Sequence, residues 1–149
     1  MKHRISADDR DFLRRFSCCE IEVGGFHHRE HVRLAYIFLV LYGVEEACPK
    51  FRASLQAFLR HNRVDPAKYH ETMTQAWILA VFHFMQTAAA RSSSTEFMDA
   101  NPMLMNPRIM LTHYSSELIG SDRARAHFVE PDMDPIPRHA GSVNAPRHP

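Results

Sequence analysis

Apolar residues recur at steps of three and four through the first 90 residues, the spacing of helices that bury one face. Phe12 and Phe16 make one apolar edge of a short first helix over residues 6–16, which Ser6 caps and Asp8 and Asp9 open. Gly24-Gly25 then breaks the chain. A second helix is expected over residues 28–42, with the inward stripe His28, His31, Ala35, Phe38, Leu39, Tyr42 and with Gly43 as its stop. A third runs over 44–62 with Ala47, Phe51, Leu55, Phe58 and Leu59 inward, and Pro49 falls in its first turns, where proline is tolerated. The linker Asn62-Arg63-Val64 is short, so these helices should lie as antiparallel neighbours. A fourth helix is expected over 65–90, with Asp65 as its N-cap and Pro66 at its first position. Its stripe reads His70, Met73, Trp77, Ala80, Val81, Phe84. Past Ser92-Ser93-Ser94, short elements are expected over 95–100, 107–114 and 122–128.

The pattern predicts an all-α fold: a four-helix core with short additional C-terminal helices, in a single helical domain over residues 1–130. Five glycines in 149 residues agree with helices rather than a turn-rich sheet protein. Residues 131–149 are Pro-rich with little apolar content and are expected to be a disordered tail.

A net charge of +1 gives no reason to expect nucleic acid or an anionic membrane as partner. No stretch reaches the roughly 18 apolar residues of a membrane span, and the polar N-terminus has no apolar run of a signal peptide. Three cysteines, two of them the adjacent Cys18 and Cys19, make neither a disulfide framework nor a zinc knuckle. A reduced, cytoplasmic protein is expected. An apolar helix face would leave room for a homodimer, which periodicity alone does not reveal.

Eleven histidines are the compositional oddity, and two stretches organise them. Phe26-His27-His28-Arg29-Glu30-His31-Val32-Arg33-Leu34-Ala35 puts His28 and His31 one turn apart on an apolar helix face. Tyr69-His70-Glu71-Thr72-Met73-Thr74 puts His70 on the core stripe of a later helix. Two imidazoles one turn apart chelate, and a third from another helix leaves a coordination position open for water or substrate. His28, His31 and His70 are therefore the expected ligands of a transition metal, namely iron, copper or zinc. Glu71 is a candidate base or extra ligand. Arg33 and Tyr69 are candidates for holding an anionic or carbonyl group of a small-molecule substrate, and Thr74, beside His70, joins them and Glu71 as a candidate catalytic residue. His83 lies far around its helix from His70 and is a poor partner for it. Met98, Met103, Met105 and Met110 suit gap-filling core better than copper binding.

The two stretches, with Phe97 to Met105 and His113 to Asp132, resemble a family of uncharacterised bacterial proteins of about this length. That family carries the motifs F-x-H-x-x-H-[LV]-R-x-A, Y-H-E-T-[IL]-T, F-x-x-x-N-P-x-L-[LM] and a terminal Y-Y-x-x-E-x-L segment. The resemblance implies that His28, His31, Arg33, His70, Glu71, Thr72, Thr74 and Asn101 belong to a shared pattern and that His27 does not. His113 stands where the family has a second tyrosine. The resemblance attaches no reaction to these residues.

Three functions compete. The first is a metal-dependent enzyme acting on a small molecule, with a lean to oxidative chemistry because no H-E-x-x-H pattern is present. The second is a non-catalytic metal or small-ligand binder. The third is a helical interaction module in which the histidines are structural.

Overall fold

Ser6 caps the first helix and Asp8 and Asp9 lie in its first turn, as expected. In the computed structural model, which describes residues 2–139, α1 spans Ala7–Ser17. The Ser6 hydroxyl accepts the Asp9 N–H at 3.0 Å and the Asp9 carboxylate accepts the Ser6 N–H at 3.1 Å, a reciprocal capping box. Phe12 and Phe16 are buried. A 3-10 turn at Val23–Gly25 leads into α2 (His28–His61).

The expected second and third helices are the two arms of α2. They meet at Gly43, where φ is +78° and ψ is 168°. That backbone region is essentially closed to other residues. Gly43 is thus the corner between two arms joined without a loop. A Cβ built there meets nothing within 4 Å, so a Gly43→Ala variant strains the backbone alone. It is expected to lose about 1–3 kcal/mol, seen as a lower denaturant midpoint with an unchanged slope.

The first arm is the centre of the molecule. Leu34 through Leu39 are buried without interruption, because α1, α3 (Glu71–Thr87) and α4 (Ser94–Ala100) all pack on α2. A helix enclosed on all sides needs no polar face, so the one-sided stripe undercounts its core. Tyr42, expected inward, lies exposed at the corner with the Lys50 ammonium 4.9 Å from its ring centre.

The fourth predicted helix starts later and stops earlier than expected. Asp65-Pro66 opens only a 3-10 turn, Pro66–Lys68, in which the Asp65 carboxylate accepts the Ala67 N–H at 2.9 Å. Tyr69 and His70 are extended, and the helix proper, α3, begins at Glu71. His70 takes the N-cap role: its Nδ1 accepts the Met73 N–H at 3.1 Å. A proline fits the first position of either turn equally well, so Asp-Pro alone does not choose between them. Trp77, Ala80 and Val81 are buried as expected, together with Ala76, Ile78 and Leu79.

Short elements close one end: α4, 3-10 turns at Pro102–Met105 and Pro107–Thr112, α5 (Ser116–Ile119) and α6 (Asp122–Ala126). Met98 and Met110 are core residues as expected, whereas Met103 is exposed. The architecture is all-α, with no strand among the described residues, and no helix there is long and apolar enough to cross a membrane.

Residues 131–139, expected as the start of a disordered tail, lie along the body. The Met133 N–H donates to the His113 carbonyl at 2.9 Å, Asp132 accepts from the Ser115 N–H and hydroxyl, and Ile136 is buried. His139 meets His83, nitrogen to nitrogen, at 2.6 Å. The rest of the expected tail, 140–149, falls outside the described residues.

Candidate functional site

The two histidine stretches meet at one cavity of ≈ 360 Å³. The start of α2 contributes Phe26, His27, His28 and His31, and its second arm contributes Leu55 and Leu59. The turn before α3 supplies Lys68, Tyr69 and His70. The first turns of α3 add Met73, Thr74 and Trp77, and Pro107 completes the wall. The size and the mostly apolar lining with a few convergent polar groups are those of a small-molecule site.

Each imidazole has a different neighbourhood. His28 Nε2–H donates to the Leu104 carbonyl at 2.8 Å, and the ring stands edge-on to Trp77 with centres 4.5 Å apart. His70 Nε2–H donates to the Ile119 carbonyl at 2.7 Å while its Nδ1 caps α3, so both of its nitrogens are engaged. His31 packs edge-on to Phe51 and Phe26, and its Nδ1 is buried without a hydrogen-bond partner. Burial, with His28 close by, lowers the His31 pKa to about 4, so its ring is neutral at neutral pH.

The donor set does not present three lone pairs to one ion. His70 has none left, and its cap bond must break before it could bind a metal. Among the described residues, no group of three or more His, Cys, Asp and Glu side chains is placed to hold a metal.

The Glu71 carboxylate sits in a closed network of donors. Arg52 grips its carboxylate through Nε at 2.9 Å and Nη2 at 2.6 Å, the Tyr69 hydroxyl donates at 2.6 Å, and Gln75 Nε2 donates at 2.5 Å. Burial opposes ionisation, but these four donors outweigh it and hold the pKa at about 2. Tyr69 lends its ring to the cavity wall and its hydroxyl to Glu71. The Thr74 hydroxyl donates to the His70 carbonyl at 2.9 Å. Thr72 ties down the C-terminal segment, donating to the His127 carbonyl at 2.7 Å and accepting the Val129 N–H at 3.1 Å.

Arg33 does not orient a ligand in this cavity. It is not among the lining residues, and its guanidinium reaches Asp8 at 3.0 Å, Asp9 at 3.1 Å and the Ser94 hydroxyl at 3.1 Å. The buried Asp9 also accepts the Ser94 N–H, so this cluster fastens α1, α2 and α4 together. Burial raises the Asp9 pKa, and the donors from Ser94, Ser6 and Arg33 bring it below the usual range.

Sequence reasoning missed Arg52, Asp9 and Lys68. Two of them left a signal. Arg52 interrupts the apolar steps Cys48, Leu55, Leu59, and Asp9 precedes Phe12 and Phe16 on one stripe. A charge on a core stripe calls for a buried partner.

A larger cleft of ≈ 650 Å³ lies across Tyr69 and Glu71, lined by Arg52, Gln56, Arg125 and His127 among others. Its arginines have partners: Arg52 holds Glu71, and Arg125 donates to the Ala67 carbonyl at 3.1 Å. The smaller cavity is the stronger candidate because four imidazoles converge on its mostly apolar wall. No protein-family model, curated protein or solved structure matches this sequence.

Proposed function

We propose that the chain is a small-molecule-binding protein whose ligand occupies the cavity at the head of α2 and α3. The observation that carries this reading is the lining itself: the imidazoles of His27, His28, His31 and His70 converge on an otherwise mostly apolar cavity. Leaving a bound ligand's polar group there without such a partner costs about 1–3 kcal/mol. An imidazole with a pKa of about 4 is a weak base at neutral pH. That favours binding over acid–base catalysis.

Metal binding is the second reading, and one observation favours it. A metal-ligating histidine usually donates its other N–H to a carbonyl or carboxylate, as His28 does to Leu104. His28 and His31 would then be the first ligands, and a third would have to come from His70 after loss of its cap bond.

Two measurements test the readings. A fragment screen followed by NMR of the His31 imidazole and Trp77 indole protons is expected to find ligands that shift both signals. A His31→Leu variant should bind those ligands at least tenfold more weakly. A broad screen that moves neither signal overturns the binding reading. Elemental analysis of untagged protein is expected to show no stoichiometric metal. Metal present in the wild type and absent from the His28→Ala and His70→Ala variants would move the assignment to the second reading.

A further inference from the structure

The charges around the cavity bear on the class of ligand it suits. Its lining contains four histidines and Lys68 but neither an aspartate nor a glutamate. Lys68 is exposed at the end of its 3-10 turn and forms no ion pair among the described residues. Two acids lie three residues from Lys68 along the chain: Glu71 is neutralised by its bidentate contact with Arg52, and the Asp65 carboxylate, outside the lining, accepts the Ala67 N–H at 2.9 Å. Another acid, Glu30, turns to the His27 N–H at 2.9 Å.

Two helix starts add to the same field. The residues that open α2 (His28) and α3 (His70, its N-cap) both line the cavity. Helix N-termini carry positive partial charge and favour anions. One cation without a partner, two helix starts and no lining carboxylate make the site suited to a monoanion. The apolar walls of Phe26, Leu55, Leu59, Met73 and Trp77 exclude a strongly hydrated one such as free phosphate.

We infer that the ligand is a small apolar monocarboxylate that also carries a neutral hydrogen-bonding group. Its acid group sits beside Lys68 at the solvent side, its aryl or branched-alkyl body lies against Trp77, and its neutral polar group meets the His31 ring. The inference rests on the binding reading above and adds the ligand's charge and polarity to it.

Three probes of one shape test it on the full chain: 4-hydroxyphenylacetate, its primary amide, and tyramine. Affinity is read by calorimetry and the site by the His31 and Trp77 NMR signals. The acid is expected to bind about tenfold or more tightly than the amide, the sum of one exposed ion pair and two helix starts, with tyramine weakest. Lys68→Met should reduce that preference several-fold, and Lys68→Arg should keep it. Phenylacetate, which lacks the hydroxyl, should bind more weakly than 4-hydroxyphenylacetate to the wild type and equally to His31→Leu. Amide or amine binding as tight as the acid overturns the inference and leaves the cavity as a binding site. No binding by any probe, with both signals unmoved, overturns the inference, and the broad screen then decides whether the binding reading falls with it.

Discussion

A Glu71→Gln variant should lose about 3 kcal/mol of stability, a drop of roughly 10 °C in Tm for a domain of this size. The Glu71 carboxylate is buried and accepts from Arg52 twice, from Tyr69 and from Gln75. A glutamine amide offers one oxygen to those four donors and turns an N–H toward the rest. Arg52 is then left as a cation without a counter-charge. Breaking a fully buried pair costs about 3–5 kcal/mol, much of it from the partner left behind. Arg52 is 35% exposed, so water recovers part of that and the lower end applies. Because the folded-state pKa lies below that of a free glutamate, the Glu71 contribution is full above about pH 4.5 and fades as pH falls toward 2. The variant should lose that acid-limb dependence along with the stability. Denaturant titrations of both proteins at pH 7 and pH 3 check this. An unchanged midpoint at pH 7 would mean that the carboxylate does not anchor α3 to the second arm of α2, and would return Glu71 to the candidate bases.

The cap of α1, the corner at Gly43 and the histidine faces were all legible because they depend on residues within a few positions of one another. Ser6 and Asp9 are three apart, and so are His28 and His31. Near neighbours fix which way a side chain leaves its helix. They do not fix what covers that face. The carbonyl that takes the His28 proton lies 76 residues away, and the one that takes the His70 proton 49 residues away. Arg33 shows the same limit. Its place on α2 could be read, but its partners Asp8, Asp9 and Ser94 come from two other helices and turn a candidate substrate ligand into a clamp. The Tyr69-His70-Glu71-Thr72-Met73-Thr74 stretch looked chemical because polar side chains recur on a core face. Every polar side chain in it has a partner within the protein, so its density of function is largely a density of hydrogen bonds that hold the cavity wall. The start of α3 misled for a different reason. Asp-Pro opens a 3-10 turn as readily as a helix, and only the packing of His70 against Ile119 places the true cap.

His31 makes the second large prediction, a loss of stability on mild acidification. Its folded-state pKa is near 4, against an ordinary value of 6.5. Between those values the unfolded chain takes up a proton at this ring and the folded chain does not, so stability falls as pH drops through that window. Each pH unit within it removes about 1.4 kcal/mol, and about 3 kcal/mol is gone by pH 4. Above pH 6.5 the contribution is constant, because the ring is neutral in both states. His83, whose pKa is lowered by burial and by His139, adds to the same slope. A His31→Leu variant should therefore flatten the curve between pH 6.5 and 4 without abolishing its slope. Leucine is apolar and fills the space between Phe26 and Phe51, so the variant is expected to fold. An NMR titration reports the ring directly: the His31 signals should hold steady from pH 8 to 5 and shift only near 4. A midpoint close to 6.5 would mean that water reaches the Nδ1 and that burial does not hold the ring neutral. A ligand that donates to the neutral ring should push that midpoint lower still, so its affinity should fall below pH 4 in parallel with protonation.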